Sequence, residues 1–512
     1  MTFINVGEWL ERREQLTPDK VGLVDGETTS KHRRLTYRIL NQRARALAAV
    51  FQEEYAVQQG ERVAILAQNA PEYLDAFFAC ALIGAILVPL NVRLTINELT
   101  TILIDCEPRL LLHDATFQQQ SQTIVTVLGQ QSSPAPQLRA LASFPGADAQ
   151  LAERARPFQS QDGEEIALIL YTSGTTGTPK GAMLSHRMLT WNAINTQISW
   201  GVRENDITPT FAPFFHAGGL NVLTTPLYHC GGTVVLLRNS TPEAILGTIE
   251  RERCTIVFAV PTVFQMMQHH KAFATSDLSS LRFCVTGGSS CPLPVIEGYA
   301  ARGLVFRQGY GLTEVGVNCF SLAPKDALRK AGSVGQPVFH SRARIVDEEG
   351  HDVSTGREGE LLLAGPHVCS GYWRRSEATA EARLDEWWRT GDLVRQDEEG
   401  YYYIVGRKKD MLISGGENVY LAEVEQVLAR HPAIYEVAVI PRPDPKWGEV
   451  GLAVIVPREQ AELTPEEIIA YCDDKLARYK IPRAFMFTDA LPRNAMGKVM
   501  KAQLRTQFVM EG

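Results

Sequence analysis

The chain has 512 residues, of which 45% are hydrophobic and 21% charged, with a formal net charge of -7 and a pI near 6.0. These values exclude a disordered, collagen-like or coiled-coil chain. The acidic balance excludes nucleic-acid binding through a basic surface, so any polyanionic ligand needs a local site. At about 150 residues per domain, two or three units are expected.

The 9 cysteines run from Cys80 to Cys472 without a C-x-x-C pair, which signals neither zinc nor a redox motif. Free thiols in a reducing cytoplasm are expected. The first residues carry charges where a signal peptide needs an apolar core. The longest apolar run, residues 76–90, falls short of the ~20 residues of a spanning helix. It reads as a buried helix leading into a strand.

Residues 130–161, rich in Ser, Pro, Ala and Gln, read as a surface connection. Residues 166–171 form a short apolar run, a predicted buried strand that enters a Gly/Thr-rich loop, with a helix after Ser185. Residues 254–260, 281–285 and 304–306 are further predicted strands, and the last two enter Gly-rich turns. Pro292 suits the first turn of a helix. Strand, turn and helix in repetition imply an α/β fold with a largely parallel sheet. Ligands then collect at the loops after the strands' carboxyl ends.

The last hundred residues differ. Residues 422–431 form an amphipathic helix, and 436–440, 452–456 and 484–487 are strands. Thr464 and Glu467 make a capping box that opens a helix ending near Tyr479. The expected division is a large N-terminal α/β domain with layered, largely parallel sheets, residues 1–408, and a small mobile α+β domain, residues 409–512.

The strongest chemical motif is Tyr171-Thr-Ser-Gly-Thr-Thr-Gly-Thr-Pro-Lys-Gly181. Its glycines let backbone N–H groups face a polyphosphate, its hydroxyls add donors and Lys180 adds a charge. A Walker loop needs Gly-Lys-Ser/Thr, whereas Pro179 precedes and Gly181 follows this lysine, so that reading fails.

This loop resembles the signature of the adenylate-forming superfamily, which includes acyl-CoA synthetases, luciferases and peptide-synthetase adenylation domains. Four more motifs follow in the family's order: Tyr310-Gly-Leu-Thr-Glu314; Thr390-Gly-Asp392 with Gly406-Arg407; Ser414-Gly-Gly-Glu-Asn418; and Pro492-Arg-Asn-Ala-Met-Gly-Lys498. Met496 stands where many relatives have Thr or Ser.

The resemblance implies an ATP-dependent carboxylic acid–CoA ligase that makes an acyl-adenylate and pyrophosphate, then acyl-CoA and AMP. ATP, Mg²⁺ and coenzyme A are the implied cofactors. Lys498 would bridge carboxylate and α-phosphate, Thr313 would touch that phosphate, and Glu314 with Thr172 would hold the metal. Thr172, Ser173, Gly174, Thr175, Thr176 and Lys180 would cradle the phosphates. Gln308, Gly309 and Gly311 would bind the nucleotide beside Tyr310, which would stack on adenine opposite Gly287, Gly288 and Ser289. Asp392 and Arg407 would contact the ribose. His216, Gly219 and Val315 would line or gate the acyl pocket. Ser414, Gly415 and Gly416 would meet CoA, and Lys409 would be the hinge about which the C-terminal domain rotates.

Apolar residues at Leu220, Val222, Val260 and Val315 point to an apolar acid. Small residues Ala217, Gly218 and Gly219 favour an open pocket for a medium- or long-chain fatty acid, with an aryl acid as the alternative. Other readings are a ligase that loads a carrier protein and a nucleotide-binding sensor. The presence of Glu314 and Lys498 argues against the sensor. Expected partners are a small acid, ATP and CoA, with no nucleic acid and a homodimer left open.

Overall fold

The computed structural model describes residues 4–26, 33–131, 133–172, 179–238, 240–289, 291–408, 411–414, 417–459, 461–473, 475–494 and 497–509. A seven-stranded sheet has the spatial order Gly371–Tyr372, Lys180–Ser185, Ile166–Thr172, Ile86–Pro89, Arg62–Leu66, Leu110–His113, Gln137–Ala140. The last five are parallel, and at one edge Lys180–Ser185 pairs antiparallel with both Ile166–Thr172 and Gly371–Tyr372. Both faces are apolar. Val63, Ile65, Leu110, Leu112 and Leu168 pack into one core, while Ala64, Leu66, Leu111 and Ile169 pack into another. Double-sided burial explains why these strands read as continuous apolar runs.

The run at residues 76–90 folds as expected. The helix Pro71–Ile83 has a proline in its first turn and ends at Gly84, whose φ of 72° forms a left-handed cap before the strand Ile86–Pro89. Residues 130–161 differ from expectation, because Gln137–Ala140 pairs with Leu110–His113 as an edge strand. Its Gln-Leu-Arg-Ala sequence has one large apolar residue and no run to betray it.

The strands Ile256–Ala259, Phe283–Thr286 and Phe306–Gln308 form a parallel sheet. The turns 287–289 and 309–314 leave its carboxyl ends, as the strand–turn pattern requires. Pro292 precedes the helix Leu293–Ala300 as its N-cap. An antiparallel sheet follows over residues 342–407.

The C-terminal part forms a separate sheet, ordered Glu417–Tyr420, Met411–Ser414, Gly448–Pro457, Ile434–Asp444, with Ala484–Phe487 paired to residues 452–455 on the side of Gly448–Pro457 that Ser414 meets at Gly448. Its two cores draw only on residues from Leu412 onward. The capping box of Thr464 and Glu467 forms, but its helix, Pro465–Cys472, ends before Tyr479. Lys475 N–H bonds to the Cys472 carbonyl, three residues back, in a tighter turn that stops the helix. Among the described residues no helix is long and apolar enough to cross a membrane.

Candidate active site

The loop of residues 173–178, with Ser173, Gly174, Thr175 and Thr176, lies outside the described residues. Its two ends are fixed. Thr172 and Lys180 are register partners across the antiparallel pair, and Thr172 Oγ1 lies 3.5 Å from Glu314 Oε1. Tyr171 Oη donates to Asp105 at 2.6 Å and anchors the strand end. Glu314 sits in the short turn Thr313–Val315, and Tyr372 Oη donates to the same Oε1 at 3.1 Å. Thr313 occupies the same turn.

Asp392 is almost fully buried and faces two partners. Tyr310 Oη donates to its Oδ2 at 2.5 Å, and Arg407 Nε lies 2.9 Å from its Oδ1. Burial, then the Asp392 charge, push the Tyr310 phenol well above its usual range, so it stays a donor. The sequence reading gave Tyr310 only a stacking role. Its hydroxyl also belongs to the group expected to hold the ribose, and its ring packs edge-on against Phe320 at 5.6 Å.

Two further residues of the expected nucleotide-binding set also serve the fold. Gln308 Oε1 accepts the Cys291 N–H at 3.0 Å, so this side chain secures the 287–291 turn. A Cβ on Gly311 would stand 2.3–2.5 Å from the Val317 and Gly316 backbone. Glycine there serves a chain crossing. Gly287 and Gly309 form adjoining walls, with 3.6 Å between a Gly287 Cβ and the Gly309 carbonyl oxygen, and Gly288 and Ser289 are exposed beside them.

His216 caps the short helix Ala217–Asn221, and its Nδ1 accepts the Gly218 N–H at 3.1 Å. That bond places the neutral ring's proton on Nε2. His216 keeps an exposed face toward the cleft, and desolvation by the surrounding protein, then the Lys498 ammonium, lower its pKa to about 4. A neutral imidazole that already accepts at one nitrogen is a donor at the other and no general base at neutral pH. Gly219 does not widen the pocket, because a Cβ there would stand 2.2–2.6 Å from Ala212 and Pro213 backbone atoms. Its smallness is used by the crossing backbone, which removes that support for a long chain. Val315 is fully buried, and its carbonyl lies 2.5 Å from His367 Nδ1.

The C-terminal domain reaches this cleft. Lys498 N–H donates to Asn494 Oδ1 at 2.9 Å, and the Asn494 N–H returns to the Lys498 carbonyl at 2.8 Å. A Cβ on the intervening Gly497 would stand 3.1 Å from Thr262 Oγ1 and 3.3 Å from Val260. Gln265 Nε2 donates to the Tyr435 carbonyl at 3.3 Å, a second contact from the same helix, Pro261–His269. The lysine loop is therefore seated on the N-terminal domain, with its charge felt at His216. Ser414 is buried and ends a strand, whereas Gly415, Gly416, Lys409 and Met496 lie outside the described residues.

Sequence reasoning missed Tyr372. A tyrosine on a two-residue edge strand carries no pattern, and only its contact with Glu314 marks it.

The AMP-binding enzyme family model matches residues 10–373, and the AMP-binding enzyme C-terminal domain model matches residues 423–498. The chain belongs to the AMP-binding enzyme family. It is similar to a feruloyl-CoA synthase of Amycolatopsis sp, 38% identical over 98% of this chain and 99% of that one. An indoleacetate–CoA ligase of Aromatoleum aromaticum is 40% identical over 98% of each chain, and a long-chain-fatty-acid–CoA ligase of Mycobacterium tuberculosis is 36% identical over 98% of each. An o-succinylbenzoate CoA synthetase of Bacillus subtilis, solved with ATP and magnesium ion, superposes with a TM-score of 0.85 at 31% identity, covering 97% of this chain and 99% of that one. The protein is an ATP-dependent acid–CoA ligase of the AMP-forming class, with ATP, Mg²⁺ and CoA as its cofactors.

The ligase has donors suited to that metal. Among the described residues no cluster of three His, Cys, Asp or Glu could cage an ion. Magnesium needs no such cage, since one carboxylate, substrate phosphates and water complete its octahedron. Glu314, with the Thr172 hydroxyl beside it, fits that donor set.

Proposed function

We propose that this ligase activates an aromatic carboxylic acid, with a medium- or long-chain fatty acid as the second reading. The feruloyl and indoleacetate relatives support a ring-bearing acid. The observation at Gly219 takes away one of the three small residues behind the open long-chain pocket. The similar fatty-acid ligase supports the second reading, and the apolar residues Leu220, Val222 and Val260 suit either acid.

The seating of the Lys498 loop on Thr262 and Val260, with its charge felt at His216, supports the mechanism. In the first step a carboxylate oxygen attacks the α-phosphorus and pyrophosphate leaves. The transition state gathers charge on phosphoryl oxygens, which preplaced cations and donors stabilise. Lys498 supplies the cation between carboxylate and α-phosphate, with Thr313 as a hydroxyl donor. Asp392 accepts ribose hydroxyls through lone pairs beside those used by Tyr310 and Arg407. Lys180 and the 173–178 loop hold the β- and γ-phosphates. Magnesium held by Glu314 would neutralise phosphate charge. In the second step the CoA thiol attacks the acyl carbon and AMP leaves. The C-terminal domain, residues 409–512, turns at Lys409 to exchange Lys498 for the Ser414–Gly416 face, as a few hinge residues suffice to do. The buried free thiols suit a reducing compartment such as the cytoplasm.

Pyrophosphate release with ATP, Mg²⁺ and a panel of hydroxycinnamic, arylacetic, benzoic and fatty acids, with and without CoA, tests this reading. Aromatic acids are expected to give the highest kcat/KM and to yield thioesters. A clear preference for the medium- or long-chain fatty acids of the panel replaces the aromatic reading with the second.

A further inference from the structure

Glu314 is gripped by a side chain whose ring also lies beneath Lys180. Tyr372 Oη donates to Glu314 Oε1 at 3.1 Å, and Lys180 Nζ lies 5.4 Å from the centre of the Tyr372 ring. A cation over an aromatic face is attracted by the ring's quadrupole. One residue therefore contacts the carboxylate expected to hold the metal and the cation expected to hold the phosphates.

The position of Tyr372 is fixed on every side. Gly371 and Tyr372 pair with Met183 and Ala182, next to Lys180 in the same strand. Tyr372 N–H donates to Thr379 Oγ1 at 2.9 Å, and Trp373 N–H donates to the Gly181 carbonyl at 2.7 Å. Trp373 Nε1 reaches the Asp105 carbonyl at 3.2 Å, and Arg375 reaches the Asp105 carboxylate at 2.8 Å. The same carboxylate receives Tyr171 at the loop's entry. The Tyr372 ring leans on the buried Trp388, 5.5 Å between centroids. Burial, then the Glu314 charge, raise the Tyr372 phenol, so it remains a donor at all working pH values.

We infer that Tyr372 is the positioning residue of the metal–phosphate site: its hydroxyl orients the Glu314 carboxylate for the divalent cation and its ring backs Lys180. A hydrogen bond through one oxygen restricts rotation of the carboxylate, which a metal with strict octahedral demands exploits. The inference rests on the reading of Glu314 as the metal carboxylate.

The test uses Mn²⁺ as the probe and α,β-methylene-ATP, which adenylation cannot cleave, on the full chain. Bound and free Mn²⁺ are counted by electron paramagnetic resonance. Tyr372→Phe keeps the ring and is expected to weaken Mn²⁺ binding in the analogue complex about tenfold, the range of a hydrogen bond to a charged group. Its affinity for the analogue in EDTA should match wild type. Tyr372→Leu should weaken both. Glu314→Ala should abolish tight Mn²⁺ binding, and adding Tyr372→Phe to it should cost nothing more. If Tyr372→Phe binds Mn²⁺ like wild type while Glu314→Ala does not, the positioning role is overturned and the metal role of Glu314 stands. If Glu314→Ala also retains tight Mn²⁺, both fail.

Discussion

Tyr310 and Asp392, 82 residues apart in sequence, meet in a 2.5 Å hydrogen bond, with Arg407 on the other carboxylate oxygen. Loss of Asp392 leaves a phenol and a guanidinium without their shared acceptor, in addition to any lost ribose contact. Asp392→Ala is expected to raise the KM for ATP by about 10- to 100-fold, since buried charged partners count for more than neutral ones. Tyr310→Phe, which keeps the ring, should raise it by less than about tenfold. Steady-state kinetics with varied ATP decides the order. Equal effects would show that the tyrosine hydroxyl, and not the carboxylate's own ribose contact, dominates.

Lys498 is held by its own loop and seated against Thr262 and Val260. Lys498→Ala should cut adenylate formation by about 10²- to 10³-fold, the cost of deleting one preorganised donor. Thioester formation from a supplied acyl-adenylate should change little, because that step needs the other face of the domain. Single-turnover assays of each half-reaction separate the two. An equal loss in both halves would contradict the domain rotation.

The parallel sheets, the C-terminal unit and the order of the site motifs were legible because each depends on local pattern. Residues 166–171 are continuous apolar sequence, and Thr464 with Glu467 is a local capping box. What escaped was set by distant partners. Gln137–Ala140 is a strand because Leu110–His113 offers it an edge. Gly219 and Gly311 looked like ligand-facing glycines, yet backbone crossings from Pro213 and Val317 demand them. Tyr372 matters only through Glu314, 58 residues before it.

The crossing at Gly219 has a measurable cost. Gly219→Ala would place a methyl group 2.2 Å from the Pro213 carbonyl oxygen, a backbone atom that cannot swing away. Overpacking of this kind costs about 1–3 kcal/mol. Thermal unfolding should show a lower Tm. An unchanged Tm with altered acid preference would instead return Gly219 to the pocket lining.

His216 is neutral through the working range because its pKa is lowered to about 4 by desolvation within the surrounding protein and by Lys498. The pH dependence of adenylate formation should therefore show no break near 6.5 that His216→Asn removes. If wild type has such a break and the variant lacks it, the ring titrates normally and acts as an acid or base.

His186 is fully buried, accepts the Val6 N–H at Nδ1 at 3.1 Å, and its Nε2 meets no partner among the described residues. Burial lowers its pKa from 6.5 to about 3. Between those values the unfolded chain binds a proton that the folded chain refuses. Stability must then fall as pH drops through 6.5 toward 3, with a slope of up to about 1.4 kcal/mol per pH unit. His186→Gln retains an acceptor for Val6 but cannot titrate. Between pH 7 and pH 5, wild type should lose about 2 kcal/mol more than this variant in urea unfolding. Parallel losses would mean that His186 is protonated in the folded state, and that its Nε2 finds an acceptor when charged.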